Sequence, residues 1–198
     1  MDSTGHSVAA QILTDSERNS AWVMRFIALA PSGVALDLAC GSGRHTQLLL
    51  SAGHEVIALD KSDHSFDLLK GQGAQTMQFD LEMAADLFRW PFLPKSFSAI
   101  VVTNYLHRPL FPYILDSLAD DGILIYETFS FGNESFGRPS NPAFLLFPGE
   151  LIMHMQSNPC VKMQIIAYEE GYIENPKPAM VQRICARRAG KSAEIDRL

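Results

Sequence analysis

Between residues 34 and 127 the sequence alternates short apolar runs with stretches of helical spacing, and this alternation limits the fold more than any other feature. Residues 34–40 form an apolar run between Gly33 and Gly41 and predict a buried strand. Residues 44–52 have helical spacing and stop at Gly53. A second strand follows at 55–60, a short helix at 65–70 closed by Gly71, and a weaker third strand at 75–80. Residues 97–103 make the fourth strand, 110–119 a helix and 122–127 the fifth strand. Strands and helices alternating at this spacing are joined by right-handed crossovers. They predict a parallel sheet covered by helices on both faces, a doubly wound α/β fold.

The two ends depart from this rhythm. Before the first strand a helix is expected over 15–30, because Thr14 and Glu17 have capping-box spacing. Trp22, Phe26 and Leu29 would form its apolar stripe, and Pro31-Ser32-Gly33 would end it. After Thr128 comes a stretch, 131–148, rich in Gly, Asn, Pro and Phe, too long for a simple connection and typical of a functional loop. A helix is expected at 149–156, then strands near 161–172 and 179–187. The turn between those strands, residues 174–178, is short enough only for an antiparallel hairpin. A length of 198 residues suits one domain, with 1–32 as an N-terminal helical extension and 189–198 as a frayed polar tail.

Composition excludes several classes. With 47% apolar residues the bulk of the chain is not disordered, and no apolar run reaches the length of a membrane span. Sixteen basic against 22 acidic residues, a net charge of −6, give no general pull toward nucleic acid. The three cysteines are far apart without a CxxC, and the N-terminus lacks the features of a signal peptide. A reducing, cytoplasmic setting is therefore expected. The histidines show no ligand spacing, so no metal site is expected.

The chemistry concentrates in Asp37-Leu38-Ala39-Cys40-Gly41-Ser42-Gly43, a strand running into a turn that opens a helix. Glycines at 41 and 43 tolerate positive φ and let a ligand approach the backbone, while the helix N-terminus offers unpaired N–H groups. Asp60 ends the second strand, where an acid can accept both hydroxyls of a ribose. The dinucleotide fingerprint requires a third glycine, but Thr46 stands there, and the Asp37 carboxylate would repel a pyrophosphate while attracting an ammonium. These residues favour a nucleoside joined to an amino acid over a dinucleotide.

The segment LDLACGSG resembles motif I of the class I S-adenosylmethionine-dependent methyltransferases, with Asp37, Gly41 and Gly43 matching and Ala39 in place of the first glycine. Asp60 resembles the ribose-binding acid of motif II, with Lys61 beside it. Asp80 resembles the acid after strand three that binds the adenine amino group, with Leu81 next to it. Trp90-Pro91-Phe92 followed by 97–102 resembles the approach to motif IV. The resemblance spans about residues 33–187 and is similar to small bacterial members of the tellurite-resistance type. It implies a Rossmann-like, mostly parallel sheet with a C-terminal antiparallel hairpin, S-adenosyl-L-methionine as cofactor and S-adenosyl-L-homocysteine as product. Asp37, Ala39, Gly41, Gly43, Asp60, Lys61, Asp80, Leu81 and Asn104 are the cofactor residues it implies.

In that architecture the carboxyl end of strand four faces the transferable methyl group. Tyr105 and His107 are therefore the candidate catalytic residues, and Arg108 a candidate clamp for an anionic acceptor. Residues 131–148 are a candidate lid, with Asn133, Arg138 and Asn141 as acceptor contacts. A small-molecule acceptor is favoured over RNA, since the only basic cluster is Arg183, Arg187, Arg188 and Lys191. No membrane partner is expected, and no oligomeric state is indicated. Two other readings stay open: a nicotinamide-dependent oxidoreductase, and a protein that binds S-adenosylmethionine without turnover.

Overall fold

A computed structural model describes residues 19–190. The expected capping box at Thr14 and Glu17, the first residues of the expected N-terminal helix and the tail from residue 191 lie outside the described residues. Helix α1 covers Ala21–Phe26 and is capped by Ser20, whose side chain accepts from the N–H groups of Trp22 and Val23. The chain then tightens into a 3-10 turn at Ile27–Leu29. That change of pitch rotates Ile27 into the core and leaves Leu29 41% exposed, so the expected Trp22–Phe26–Leu29 stripe ends at Phe26.

From there the elements follow the alternation: β1 (Val34–Leu38), α2 (Arg44–Ser51), β2 (Glu55–Asp60), α3 (Phe66–Gly71), β3 (Gln75–Gln78), β4 (Phe97–Thr103), α4 (Phe111–Ser117) and β5 (Leu118–Phe129). A 3-10 turn, Arg108–Leu110, precedes α4. Helix α5 (Glu150–Gln156) and strands β6 (Met163–Ile173) and β7 (Ala179–Arg188) complete the described fold. Strand β5 is longer than expected because it begins at Leu118, with a register shift against β4 between Phe97 and Ala99.

The seven strands form one sheet in the order β3-β2-β1-β4-β5-β7-β6. Strands β1 to β5 pair in parallel, while β7 is antiparallel to both β5 and β6. The expected C-terminal hairpin is therefore present. Residue parity sorts the core onto the two faces. Leu36, Leu38, Ile100, Val102, Leu124 and Tyr126 pack with Phe111 and Ile114 of α4 and Leu151 of α5. Ala35, Val56, Ala58, Ala99, Val101 and Ile125 pack with Trp22 of α1, Leu49 of α2 and Leu69 of α3. Arg188, buried on β7, donates to the carbonyls of Leu115, Asp116 and Leu118 and closes the C-terminal end of α4. It is not part of a solvated basic edge. The strand order reverses at β1 and β4, and such a switch point opens a crevice at the strands' carboxyl ends. Among the described residues no helix is long and apolar enough to cross a membrane.

Candidate active site

The turn after β1 places Ala39, Gly41 and Gly43 at φ of 56°, 56° and 80°. The two glycines serve different purposes. A Cβ on Gly41 would meet nothing within 4 Å, so this stretch of backbone is open to a ligand. A Cβ on Gly43 would come within 2.3 Å of Leu69 Cδ2, so this glycine lets the turn pack on α3. Gly43 was expected to face the ligand; its neighbour is instead the core. Ala39 carries its methyl in a left-handed conformation, which costs roughly 1–2 kcal/mol. Cys40 beside it is buried, its thiol pushed up to about 12 by that burial, and it packs as a small apolar residue.

Asp37 is 2% exposed and accepts a 2.6 Å hydrogen bond from Thr46 Oγ1. Burial raises its pKa from 3.8 to about 6, with the Thr46 hydroxyl opposing the shift. Thr46, which replaces the third glycine of a dinucleotide turn, is thus the residue that holds this carboxylate. His45 was passed over in the sequence for lack of ligand spacing. It is buried, accepts the Ser20 N–H at Nε2 (3.1 Å) and lies 3.1 Å from Thr103 Oγ1 through Nδ1. Nε2 being the acceptor, Nδ1 carries the proton. Burial, then Arg44, lowers its pKa to about 3. The neutral ring ties α1, α2 and the end of β4 together.

Asp60, at the tip of β2, accepts from Gly41 N–H and from Ser62 N–H, both at 2.8 Å. Its carboxylate is therefore oriented beside the open Gly41 backbone. Lys61 Nζ lies 2.8 Å from Asp80 Oδ2, and that contact holds the Asp80 carboxyl below its ordinary range. Asp80 Oδ1 also accepts the Glu82 N–H.

A cavity of about 160 Å³ is lined by Ala39, Asp60, Lys61, Phe79, Asp80, Leu81, Glu82 and Tyr105. A second, of about 180 Å³, is lined by Glu82, Asn104, Tyr105, Leu106, Thr128, Phe129, Pro139 and Phe144. Shared walls at Glu82 and Tyr105 make the two one trough along the carboxyl edge. The Tyr105 hydroxyl is buried beside the Glu82 carboxylate, and burial, then Glu82, raises its pKa. Asn104 stands at φ 55° with its N–H on Glu127 O (2.9 Å). Glu82 carried no motif and was missed; only the fold brings it to Tyr105.

Other expected site residues lie elsewhere. His107 lines neither part of the trough, because the chain turns into the 3-10 segment immediately after it. Arg108 forks onto Glu150 (2.6 and 2.9 Å) and donates to the carbonyls of Ala143 and Leu145, both at 2.8 Å. Its guanidinium holds the loop and lines neither part of the trough. Asn133 is buried, with its Nδ2 on Pro139 O and its Oδ1 accepting from Met180 N–H. Asn141 caps the 3-10 turn Pro142–Phe144. Arg138 is exposed. The segment 131–148 is anchored by a Ser130–Leu146 bridge and by buried Leu145 and Leu146. Phe131, Phe136, Phe144 and Phe147 are 46–58% exposed. Pro139 and Phe144 bring this segment to the trough wall.

Residues 35–120 match a family model described as a methyltransferase domain. No curated protein matches the sequence. Among solved structures, the chain is similar to an S-adenosylmethionine-dependent methyltransferase from Mesorhizobium loti, with TM-score 0.65 and 16% identity over 86% of this chain and 99% of that one. It is similar to TehB from Haemophilus influenzae, with TM-score 0.64 and 18% identity over 84% of this chain and 60% of that one. A third is the 1,6-didemethyltoxoflavin-N1-methyltransferase of Burkholderia thailandensis, solved with S-adenosylhomocysteine, with TM-score 0.62 and 17% identity over 94% and 84%. At these identities the structures speak for the fold alone, and the match over residues 35–120, which includes the Asp37–Gly43 turn, Asp60 and Asp80, speaks for a methyltransferase domain in that segment. The chain carries a methyltransferase domain over residues 35–120, on the fold seen in S-adenosylmethionine-dependent methyltransferases.

Proposed function

We propose that the protein transfers a methyl group from S-adenosylmethionine to a small-molecule acceptor. The observation that carries the reading is the pairing of Asp60 with the Gly41 amide, beside backbone that is open to a ligand. The residues present fit the cofactor. Asp60 is placed to accept from ribose hydroxyls, Asp80 and Leu81 to meet adenine, and buried Asp37 to attract the ammonium of a methionyl group. Bound there, S-adenosylmethionine supplies a methyl group on a positive sulfur, which leaves as the neutral thioether S-adenosylhomocysteine when an acceptor lone pair takes the methyl.

The chain's own work is then alignment and exclusion of water. Tyr105 places its hydroxyl in the trough beside Glu82, where it can meet a bound group. The segment 131–148, reaching the trough through Pro139 and Phe144, acts as a lid over the site. A nicotinamide cofactor fits less well, since the Thr46–Asp37 pair stands where a pyrophosphate turn needs a glycine. The test is transfer of an isotope-labelled methyl from S-adenosylmethionine across a panel of amines, thiols, phenols and carboxylates. Label in an acceptor, with stoichiometric S-adenosylhomocysteine, is expected. Tight cofactor binding with no label leaving it for any acceptor would make the protein a non-catalytic binder.

A further inference from the structure

The largest cavity among those described, about 460 Å³, belongs to neither part of the trough. It opens on the α1 face of the sheet, between Asn19 and Ser20 before α1, Glu127 on β5, Arg183 on β7 and the Asn175-Pro176 turn. Strand register sets its charges. Glu127 pairs with Arg183, and Arg183 pairs with Glu169 on the other side. Arg183 lies 3.4 Å from a carboxylate oxygen of each. Both contacts are loose, and among the described residues Arg183 Nε is buried without hydrogen-bond geometry to a partner. Glu169 has a closer cation in Arg25, at 3.1 Å. Glu127, with its side chain only 12% exposed, has Arg183 alone among the ion pairs of the described residues. Asn19 Oδ1, in the same lining, is also buried without a hydrogen-bond partner among the described residues.

The cavity is joined to α2 and the carboxyl end of β4 through a chain of hydrogen bonds. Ser20 N–H donates to His45 on α2, and the other nitrogen of His45 meets Thr103 at the end of β4. Thr103 is the strand partner of Glu127, whose carbonyl accepts the Asn104 N–H. A molecule in the cavity therefore lies at the carboxyl edge of β4 and β5, across the sheet from the trough. Adenosine occupies the trough in the reading above, which leaves this side for the acceptor.

The wall chemistry selects the class of ligand. A lone anion would meet Arg183 but also face Glu127, and a lone cation would meet the reverse. One buried donor group, Arg183, set beside two acceptors, Glu127 and Asn19 Oδ1, complements a molecule bearing a carboxylate and an ammonium together. The volume is ample for one of amino-acid size. We infer that this cavity is the acceptor site and that it takes a small zwitterion of the amino-acid class, with Arg183 on the carboxylate and Glu127 and Asn19 on the ammonium. The inference rests on the cofactor reading given above.

The test uses the full chain saturated with S-adenosylhomocysteine and thermal melting with each of the common L-amino acids at millimolar concentration. At least one raises the melting temperature, and its amine-only and acid-only analogues bind at least tenfold more weakly. Arg183→Met and Glu127→Gln each weaken that amino acid tenfold or more and leave S-adenosylhomocysteine affinity unchanged. Asn19→Leu, outside the sheet, does the same where a strand variant fails to fold. Stabilisation by S-adenosylhomocysteine but by no amino acid overturns the inference and leaves the cofactor reading standing. A tenfold loss of S-adenosylhomocysteine affinity in Asn19→Leu or Arg183→Met also overturns it, since the cavity would then hold the methionyl end of the cofactor. Failure of S-adenosylhomocysteine to bind the wild type removes both.

Discussion

Asp37→Asn removes a charge that the fold buries against its own preference. The carboxylate is 2% exposed, and its pKa rises from 3.8 to about 6 on folding. The folded state thus binds a proton more readily than the unfolded chain. The cost of keeping Asp37 charged is fully present above pH 6 and disappears as pH falls through 3.8. A shift of about two units at about 1.4 kcal/mol each gives roughly 3 kcal/mol. The amide does not titrate, can still accept from Thr46 Oγ1, and leaves an NH2 to be satisfied at a cost of about 1–3 kcal/mol. The absolute stability of the variant at one pH is therefore a poor readout, whereas its pH dependence isolates the buried charge. Urea unfolding of both proteins in the absence of cofactor is expected to show the stability of Asp37→Asn relative to wild type falling by roughly 2 kcal/mol from pH 7 to pH 4. Other titrating groups are common to both and cancel. A difference that stays flat with pH would refute a buried, titrating Asp37. Loss of affinity for S-adenosylmethionine at neutral pH should accompany the change, because the charge that burdens the empty site is the one that attracts the ligand's ammonium.

The glycines of the turn separate by experiment. Gly43→Ala drives a methyl into Leu69 at positive φ and should cost roughly 2–4 kcal/mol in denaturant unfolding. Gly41→Ala should cost about 1 kcal/mol, with its main effect a loss of S-adenosylhomocysteine affinity by calorimetry. Ala39→Gly relieves a left-handed alanine and should gain roughly 0.5–1 kcal/mol after the flexibility of glycine in the unfolded chain is offset. Arg108→Ala strands Glu150 and releases the Ala143 and Leu145 carbonyls. Roughly 3 kcal/mol of stability should be lost, with hydrogen exchange rising across 142–147.

The central strands were legible because burial on both faces writes them as unbroken apolar runs, and β2 and β4 begin and end where their residues predict. Local chemistry also marked the turn, since glycines and an acid at fixed places after strands are short-range signals. What escaped the sequence depends on neighbours far along the chain. Gly43 was read as facing a ligand because its contact, Leu69, arrives on a different helix. Arg108 was read as free to clamp an acceptor because Glu150 lies 42 residues away. Ala39 was read as a glycine with one added methyl, whereas its cost lies in a backbone angle that composition does not reveal. The Glu127–Arg183–Glu169 ladder depends on the register of two antiparallel pairings, and a register shift between Ile165 and Ala167 makes that register invisible to spacing alone.

The cofactor assignment meets its most direct test in calorimetric titration of the full chain with S-adenosylhomocysteine and with NAD, for wild type and Asp60→Ala. Asp60 is held toward the open backbone by the Gly41 and Ser62 amides, and its removal should weaken S-adenosylhomocysteine by roughly 1.5–3 kcal/mol, about ten- to 150-fold. The account predicts binding of S-adenosylhomocysteine, that loss in the variant, and no saturable binding of NAD. Saturable NAD binding in place of S-adenosylhomocysteine, or wild-type affinity in a folded Asp60→Ala protein, would contradict it.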